Sequence, residues 1–267
     1  MKDYKVIFVV GSHLPIEVIQ TLCEWSRNGG TLVIGSGTGI YDRFNNPLNS
    51  DTYLGIKREE FVFKNEPGNE YYTLPTLNLL DSISLKDSTK HETMEVLCGY
   101  QKMKNVSISE VLGSFSDGSP AIILKNSGRG KIICFGFFPG IAYMKSAVVA
   151  NKQRPQDASF SDTPFMYPKI FRDVFGRIMK SAQCEAPILC DNYLVEPNIL
   201  ETSNMFIITL SNWSGKPVNN LKVVINKTFR GKPFSNQNSL ISFEKKGNQT
   251  ILNLNLSGAF DFIGIPK

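Results

Sequence analysis

Apolar residues in the first part of the chain follow first a strand-like and then a helical spacing. Tyr4–Val10 is an apolar run of strand length, and Thr31–Ile34 is a second one. The segment between them starts at Pro15, repeats apolar residues on one helical face and ends at Gly29-Gly30. This pattern predicts a strand–helix–strand unit with parallel strands, so the turn after the second strand lies at a carboxyl end of the sheet.

The pattern loosens in the middle of the chain and becomes regular again later. Between Asp42 and Asp117, turn-rich stretches predict short strands and excursions around the sheet. Ala121–Lys125 and Lys131–Phe135 are apolar runs separated by a short turn, which is typical of a hairpin. After a polar loop, Pro168 precedes a segment with one apolar helical face, which predicts an amphipathic helix.

The composition changes near Ala182. The remaining residues form short β-rich runs separated by Gly, Asn, Ser and Pro, without a helical pattern. The runs are Phe206–Leu210, Leu221–Ile225, Leu240–Phe243, Ile251–Leu256 and Phe260–Ile263. They predict a small antiparallel β-sandwich. We therefore expect two domains, an α/β domain at 1–182 and a β-sandwich at 183–267.

Composition and charge narrow the classes of partner. The chain has 267 residues, of which 42% are hydrophobic, so it can bury a sizeable core. The formal net charge is +5 and the basic residues are scattered, which disfavours a nucleic-acid partner. No apolar run of about 18 residues occurs, so we expect no membrane span. The residues after Met1 lack the pattern of a signal peptide, and the compartment is left open, including export of a parent protein.

Cysteine and histidine are too few and too dispersed to predict a metal site. The chain contains 5 Cys and 2 His, and no C-x-x-C pair. Only Cys184 and Cys190 are close enough in sequence to suggest a local disulfide, which we leave as a minority alternative. Cys134 lies in an apolar strand, where a thiol usually packs as a small hydrophobe. We expect neither a metal nor a cofactor.

The glycine-rich turn Gly35–Gly39 follows the second predicted strand directly. Its glycine spacing does not match the dinucleotide-binding G-x-G-x-x-G, and it lacks the Gly-Lys-Ser/Thr of a Walker loop. The frame matches that of a nucleophile elbow, in which a sharp turn raises the central side chain above the sheet. The central residue is Gly37, so the frame is present and the nucleophile is missing.

Two segments resemble the class I glutamine amidotransferase-like domain. They are Tyr4–Phe44 and "CFGFFPG" at Cys134–Gly140. In that family a Cys occupies the elbow and a His-Pro-Glu follows a late strand. The corresponding positions here are Gly37, Phe138 and Gly140, so the resemblance implies a degenerate domain without the triad.

A closer resemblance is to the degenerate amidotransferase-like domain and following β-sandwich of glycoside-hydrolase-type proteins, such as the trimerisation domain of bacterial β-galactosidases. It is carried by residues 28–47, 117–145 and 194–225. It implies a flavodoxin/amidotransferase-like three-layer domain with a mostly parallel sheet, followed by the sandwich. It also implies the C-terminal part of a longer carbohydrate-active protein, with self-association or a glycoside-hydrolase barrel as partner.

Five residues are candidate ligand contacts. They are Ser36, Thr38, Tyr41, Asp42 and Trp213. The first four can bind a ligand or satisfy their own turn, and turn chemistry is the commoner role for such residues. Trp213 can stack on a sugar or take a core or edge position in the sandwich. The sequence thus favours a non-catalytic structural or assembly module, with a hydrolase using a non-standard site at Ser36, Thr38 and Asp42, or a carbohydrate-binding module, as alternatives.

Overall fold

The computed structural model describes residues 1, 3–64, 77–86, 92–104, 109–147 and 167–267. These residues belong to two compact units. The first comprises Met1–Ser146 and Pro168–Cys184, and the second includes Glu185–Lys267.

The first unit combines short helices with a larger number of strands. In chain order its described elements are β1 (Val6–Val9), α1 (Ile16–Arg27), β2 (Thr31–Ile34), α2 (Asp51–Leu54), β3 (Lys57–Arg58), β4 (Val62–Phe63), β5 (Leu79–Leu85), β6 (Thr93–Leu97), β7 (Gly99–Tyr100), β8 (Met103–Lys104), β9 (Ser109–Phe115), β10 (Pro120–Ser127), β11 (Gly130–Phe135), α3 (Pro139–Ala147) and α4 (Lys169–Ser181). The strand–helix–strand start, the β10–β11 hairpin and the late amphipathic helix are confirmed.

A curled mixed sheet forms the centre of this unit. Its strand order is β1-β2-β11-β10-β9-β5-β6. Strand β2 pairs parallel with β1 and with β11. The other neighbours in the sheet pair antiparallel. Two short antiparallel pairs, β3–β8 and β4–β7, lie outside this sheet and come from the irregular middle of the chain.

The expectation of a flavodoxin- or amidotransferase-like three-layer domain with a mostly parallel sheet is wrong. Residues 116–119 connect β9 to β10, and residues 128–129 connect β10 to β11. A parallel pair needs a crossover of about a dozen residues or more, so connections this short can only give antiparallel neighbours. The unit is therefore rich in strands rather than in covering helices.

The sheet separates two apolar clusters because successive side chains of a strand point to opposite faces. In β2, Leu32 and Ile34 pack in the cluster that contains the buried face of α1. Val33 lies in the other cluster, together with Ile170 and Phe171 of α4. The two amphipathic helices thus cover opposite faces of the parallel part of the sheet.

The second unit consists of antiparallel strands. They are β12 (Ile188–Cys190), β13 (Val195–Glu201), β14 (Met205–Asn212), β15 (Val218–Ile225), β16 (Phe234–Ser235), β17 (Leu240–Lys246), β18 (Gln249–Leu256) and β19 (Phe260–Pro266). They form two four-stranded sheets, ordered β12-β15-β18-β17 and β13-β14-β19-β16. One cluster of buried side chains draws on both sheets, including Ile208, Val223 and Leu254.

Two further expectations concern the chain as a whole. Cys184 and Cys190 are free thiols, so the local disulfide left open by the sequence is not formed. Within the described ranges, no helix combines the length and apolar character needed to cross a membrane.

Candidate functional site

The glycine-rich turn begins where β2 ends, at the carboxyl end of the parallel strands. Gly37 and Gly39 have φ angles of 67° and 64°, in the left-handed region that favours glycine. The Gly39 N–H donates to the Gly11 carbonyl oxygen at 3.0 Å, and the Thr38 hydroxyl donates to the Val9 carbonyl oxygen at 3.3 Å. The turn is therefore fastened to the end of β1 by its own backbone and by Thr38.

The elbow position is covered by residues from two distant segments. The Gly37 N–H donates to Oε1 of Gln101 at 3.1 Å, and Nε2 of Gln101 donates to the Glu59 carbonyl oxygen at 3.0 Å. A Cβ at position 37 would meet the Phe61 ring at 3.1 to 3.2 Å. Phe61 and Gln101 thus occupy the space into which a nucleophile at the elbow would extend.

Arg58 fixes the covering segment to the turn. Its side chain is 3% exposed and its Nε donates to Asp51 Oδ1 at 2.6 Å. Its Nη1 donates to the Thr38 carbonyl oxygen at 2.7 Å, and its Nη2 to the Ser50 hydroxyl at 2.6 Å. The guanidinium is thereby shared among three protein partners.

The positions that correspond to the His and Glu of the amidotransferase triad are Phe138 and Gly140, which carry neither a base nor a carboxylate. Phe138 lies edge-on to Phe61, with ring centroids 6.1 Å apart, and Gly140 lies in the first turn of α3. Cys134 is buried in β11, and burial raises the pKa of its thiol to about 12. A thiol with that pKa is protonated at neutral pH, so Cys134 does not supply a thiolate nucleophile.

Ser36 and Thr38 are both buried beneath the turn. Thr38 is satisfied by the end of β1 through its bond to the Val9 carbonyl oxygen. The Ser36 hydroxyl has no hydrogen-bond partner within the described part of the chain. Such a group carries a desolvation cost of about 1–3 kcal/mol. Ser36 is therefore a buried polar group without a partner under the turn rather than a side chain offered to solvent.

Tyr41 and Asp42 organise the loop that follows. Tyr41 stacks on His13 with ring centroids 5.3 Å apart. Asp42 accepts hydrogen bonds from the Phe44 N–H at 2.8 Å, the Asn46 N–H at 2.9 Å and Nδ2 of Asn46 at 3.0 Å. The Asn46 side chain, followed by its backbone N–H, holds the pKa of the Asp42 carboxyl below its usual value. The Asp42 carboxylate therefore accepts its hydrogen bonds from residues of its own loop.

An open cleft of about 340 Å³ lies beside the turn. Its polar lining includes Asp51, Arg58, Glu59 and Gln101. Arg58, Asp51 and Gln101 already bond to other protein groups, so the cleft offers few free polar groups to a ligand. In the ranges the structure describes, no three His, Cys, Asp or Glu side chains are grouped to hold a metal ion.

The predicted contact residues do not form one site. Ser36, Thr38, Tyr41 and Asp42 lie along one loop of the first unit, whereas Trp213 belongs to the second. Trp213 is exposed, and its indole N–H donates to Glu196 Oε2 at 3.3 Å. It is therefore outside the sandwich core, which leaves the edge position or the sugar contact that the sequence also allowed.

Sequence reasoning missed the residues that close the turn. Phe61, Arg58 and Gln101 come from segments without a clear period, and no local pattern links them to the glycine-rich turn. The one available signal is the run "IKREEFVF", where four charged residues that include Arg58 stand between Ile56 and Phe61. That run does not indicate which part of the chain the Arg contacts.

Similar proteins were found at the level of structure alone. No known family model and no curated protein sequence matches the chain. Gan42B, a GH42 β-galactosidase from G. stearothermophilus, matches 99% of this chain with a TM-score of 0.64 at 14% identity. The β-galactosidase from Rahnella sp. R3 matches 99% with a TM-score of 0.64 at 12% identity. α-L-Fucosidase isoenzyme 2 from Paenibacillus thiaminolyticus matches 98% with a TM-score of 0.57 at 11% identity.

These matches cover only part of each glycoside hydrolase. The chain spans 32% of the length of the two β-galactosidases and 40% of the fucosidase. Its fold is therefore one that occurs as a portion of larger glycoside hydrolases, which agrees with the β-galactosidase part of the sequence resemblance. The amidotransferase part of that resemblance stays a prediction.

Proposed function

We propose that this chain is a non-catalytic structural or assembly module of a glycoside-hydrolase-type protein. The observation that carries the proposal is the covered elbow: Gly37 offers no side chain, and Phe61 and Gln101 fill the space above it. The fold shared with portions of β-galactosidases and a fucosidase supports the association with carbohydrate-active enzymes. A catalytic barrel supplied by another part of the same protein, or by another chain, completes this function.

Enzyme assays test the non-catalytic part of the proposal. The purified chain is incubated with 4-nitrophenyl β-galactoside, 4-nitrophenyl α-fucoside and glutamine. Because the elbow carries no nucleophile and Cys134 is protonated, we expect no turnover above the buffer blank. Turnover that is lost in a Ser36→Ala or Asp42→Asn variant would contradict the proposal and favour a hydrolase with a non-standard site.

The edge of the first sheet supports the assembly part. β1 is the terminal strand of the sheet and has no second strand partner among the described residues. Phe8 is half exposed, with its ring centroid 5.9 Å from that of Phe175, and Val10, one residue past the strand, is 79% exposed. Neither proline nor a bulge blocks β1. An unblocked apolar edge is a template for pairing with another chain. We therefore assign self-association, or docking of a hydrolase barrel, to the β1 edge.

Sedimentation velocity at about 10 μM tests this assignment. We expect the wild-type chain to sediment as an oligomer, or to co-sediment with a glycoside-hydrolase barrel encoded in the neighbouring sequence. Phe8→Lys is expected to abolish the association, because it places a charge at the edge. Val18→Lys, on the exposed side of α1, is the matched control and is expected to behave as wild type. A stable monomer that binds no barrel would contradict the assembly role.

A further inference from the structure

The outer face of the β13-β14-β19-β16 sheet is an unusual surface. One side of this sheet contributes Val195, Ile208 and Ile263 to the core of the second unit. The alternate residues of the same strands point away from that core. They are Glu196, Asn198 and Leu200 on β13, Ile207, Thr209 and Ser211 on β14, and Phe260 and Phe262 on β19.

Polar side chains occupy the middle rows of this face on its first two strands. Glu196 pairs with Ser211 across β13 and β14, and Asn198 pairs with Thr209 in the next row. Side chains directly opposite one another in a sheet lie about 5 Å apart, so these four form one compact polar block. The block combines a carboxylate, an amide and two hydroxyls.

Aromatic and aliphatic side chains border the polar block on three sides. Phe260 continues the row of Ser211, and Phe262 continues the row of Thr209. Their ring centroids are 5.7 Å apart. Trp213 stands at one end, and at the other are Leu200 and Phe234, whose ring lies against the backbone of Gly264. These five border side chains are 42% to 55% exposed.

The charged group of the polar block is the Glu196 carboxylate. The Glu196 carboxylate accepts the Trp213 indole N–H, which fixes the ring next to the polar block. No ion pair to Glu196 occurs among the described residues. Lys267, at the other end of β13, is paired with Glu201 at 2.9 Å. A ligand with negative charge is therefore disfavoured, and one that brings hydroxyl donors is favoured.

The arrangement of polar and apolar groups also bears on the kind of partner. Protein interfaces have an apolar centre, depleted of charge, inside a polar rim. This face has the reverse arrangement, a polar centre containing a carboxylate within an aromatic border. A docked protein surface would have to bring a cation to Glu196 or bury that carboxylate unpaired, which is costly. A sugar chain has apolar C–H faces for the rings and hydroxyls for the carboxylate, amide and hydroxyl groups.

We propose that the outer face of the β13-β14-β19-β16 sheet binds an extended, uncharged glycan chain. Trp213, Phe260 and Phe262 stack on the apolar faces of successive sugars. Glu196 and Asn198 hydrogen-bond the sugar hydroxyls between them. This binding site goes beyond the assembly role of the first unit and does not depend on it.

Native affinity electrophoresis of the full chain tests the site. The gels contain β-1,4-galactan, xyloglucan, galactomannan or, as an acidic polymer, polygalacturonate. We expect at least one of the three neutral polymers to retard the chain. Polygalacturonate attracts a chain of net charge +5 non-specifically, so we expect any retardation by it to be the same for wild type and Trp213→Ala. Trp213→Ala and Phe262→Ala are each expected to weaken the retardation about tenfold, the scale of one aromatic contact. Glu196→Gln keeps an acceptor oxygen and is expected to weaken it less.

The control substitution is Ile241→Ala, an exposed apolar residue on the other sheet of the same unit. It is expected to bind as wild type. Thermal unfolding of each variant shows that the face variants remain folded, since the side chains removed are exposed. Three outcomes would overturn the proposal: no retardation by any neutral polymer, equal retardation of wild type and both aromatic variants, or dissociation of an oligomer by Trp213→Ala without any glycan binding. Loss of association in Phe8→Lys with intact glycan binding separates this site from the proposed assembly role.

Discussion

Gly37 combines a left-handed backbone with close contact to an aromatic ring. Its φ angle is 67°, and an added Cβ would approach the Phe61 ring to 3.1 Å. Gly37→Val is therefore expected to lower the free energy of unfolding by about 1–3 kcal/mol, through backbone strain and displacement of Phe61. Denaturant unfolding measures the change.

Gly140→Val is the matched control for this substitution. No atom lies within 4 Å of a Cβ at position 140, and Gly140 is not among the residues with positive φ. We expect this variant to differ from wild type by about 0.5 kcal/mol or less. If both variants unfold at the same denaturant concentration as wild type, the turn is an ordinary flexible loop.

Asp42 makes the loop after the turn sensitive to acid. Hydrogen bonds from the side chain and backbone of Asn46 lower the pKa of its carboxyl in the folded protein. The unfolded pKa is about 3.9, so the stabilisation from this group is fully present above that pH. It is lost as the pH falls through the folded pKa. We expect the stability difference between wild type and Asp42→Asn to be constant from pH 7 to about pH 5 and to shrink below about pH 4.

Carboxyl ¹³C NMR titration of Asp42 checks the cause directly. Its midpoint is expected below the usual value of about 3.9 for an aspartate. A midpoint at or above that value would show that the bonds from Phe44 and Asn46 do not persist in solution.

At the level of elements, Arg58 joins the segment that carries Phe61 to the turn after β2. Removing the buried guanidinium takes a donor from the Ser50 hydroxyl and from the Thr38 carbonyl oxygen, and it leaves Asp51 with the bond from the Arg58 backbone N–H. Arg58→Ala is expected to lower the free energy of unfolding by about 2–3 kcal/mol, slightly less than for a fully buried pair because Asp51 is partly exposed. Urea unfolding provides the measurement. Arg129→Ala, which removes a single 3.3 Å bond to Asn28 at the surface, is the control and is expected to cost about 0.5 kcal/mol or less.

Elements with a strong local pattern were predicted from the sequence, and their arrangement was predicted only where neighbours in sequence are neighbours in space. β1, α1, β2 and α4 have apolar runs or one apolar face, and the β10–β11 hairpin closes over two residues. β5, β6 and β9 carry Ser, Asp, Glu and Gly among their apolar residues, and their membership of the same sheet depends on pairings that no local pattern records. The mostly parallel sheet was implied by the family resemblance, and it was wrong because β11, β10, β9, β5 and β6 pair antiparallel.

The candidate site likewise has one part that the sequence reveals and one part that only the fold reveals. The glycine-rich turn and its missing nucleophile are evident in the residues of the turn itself. The groups that cover the turn, Phe61 and Gln101, lie about 24 and 64 residues further along the chain, and their approach depends on the tertiary fold. Sequence alone therefore locates the turn and leaves its surroundings undetermined.

At the level of the whole molecule, the second unit has a core of its own. Ile208, Val223, Leu254 and Ile263 are fully buried within it. A compact unit with its own core can in principle fold alone, and we propose residues 183–267 as the boundaries of such a domain. Expressed separately, this fragment is expected to give dispersed amide NMR signals and a cooperative thermal transition. Leu254→Asp is expected to abolish both, and a wild-type fragment with collapsed spectra would contradict these boundaries.

The contact between Gly37 and Phe61 also constrains how this scaffold could change over evolutionary time. A single substitution to Cys at position 37 would push its side chain into the Phe61 ring on a backbone that disfavours any Cβ. Shortening Phe61 first would uncover the turn and remove its ring contacts with Phe63 and Phe138, with no catalytic gain in return. Each step alone is unfavourable, so a lineage that carries this pair reaches a nucleophile only by crossing a fitness valley.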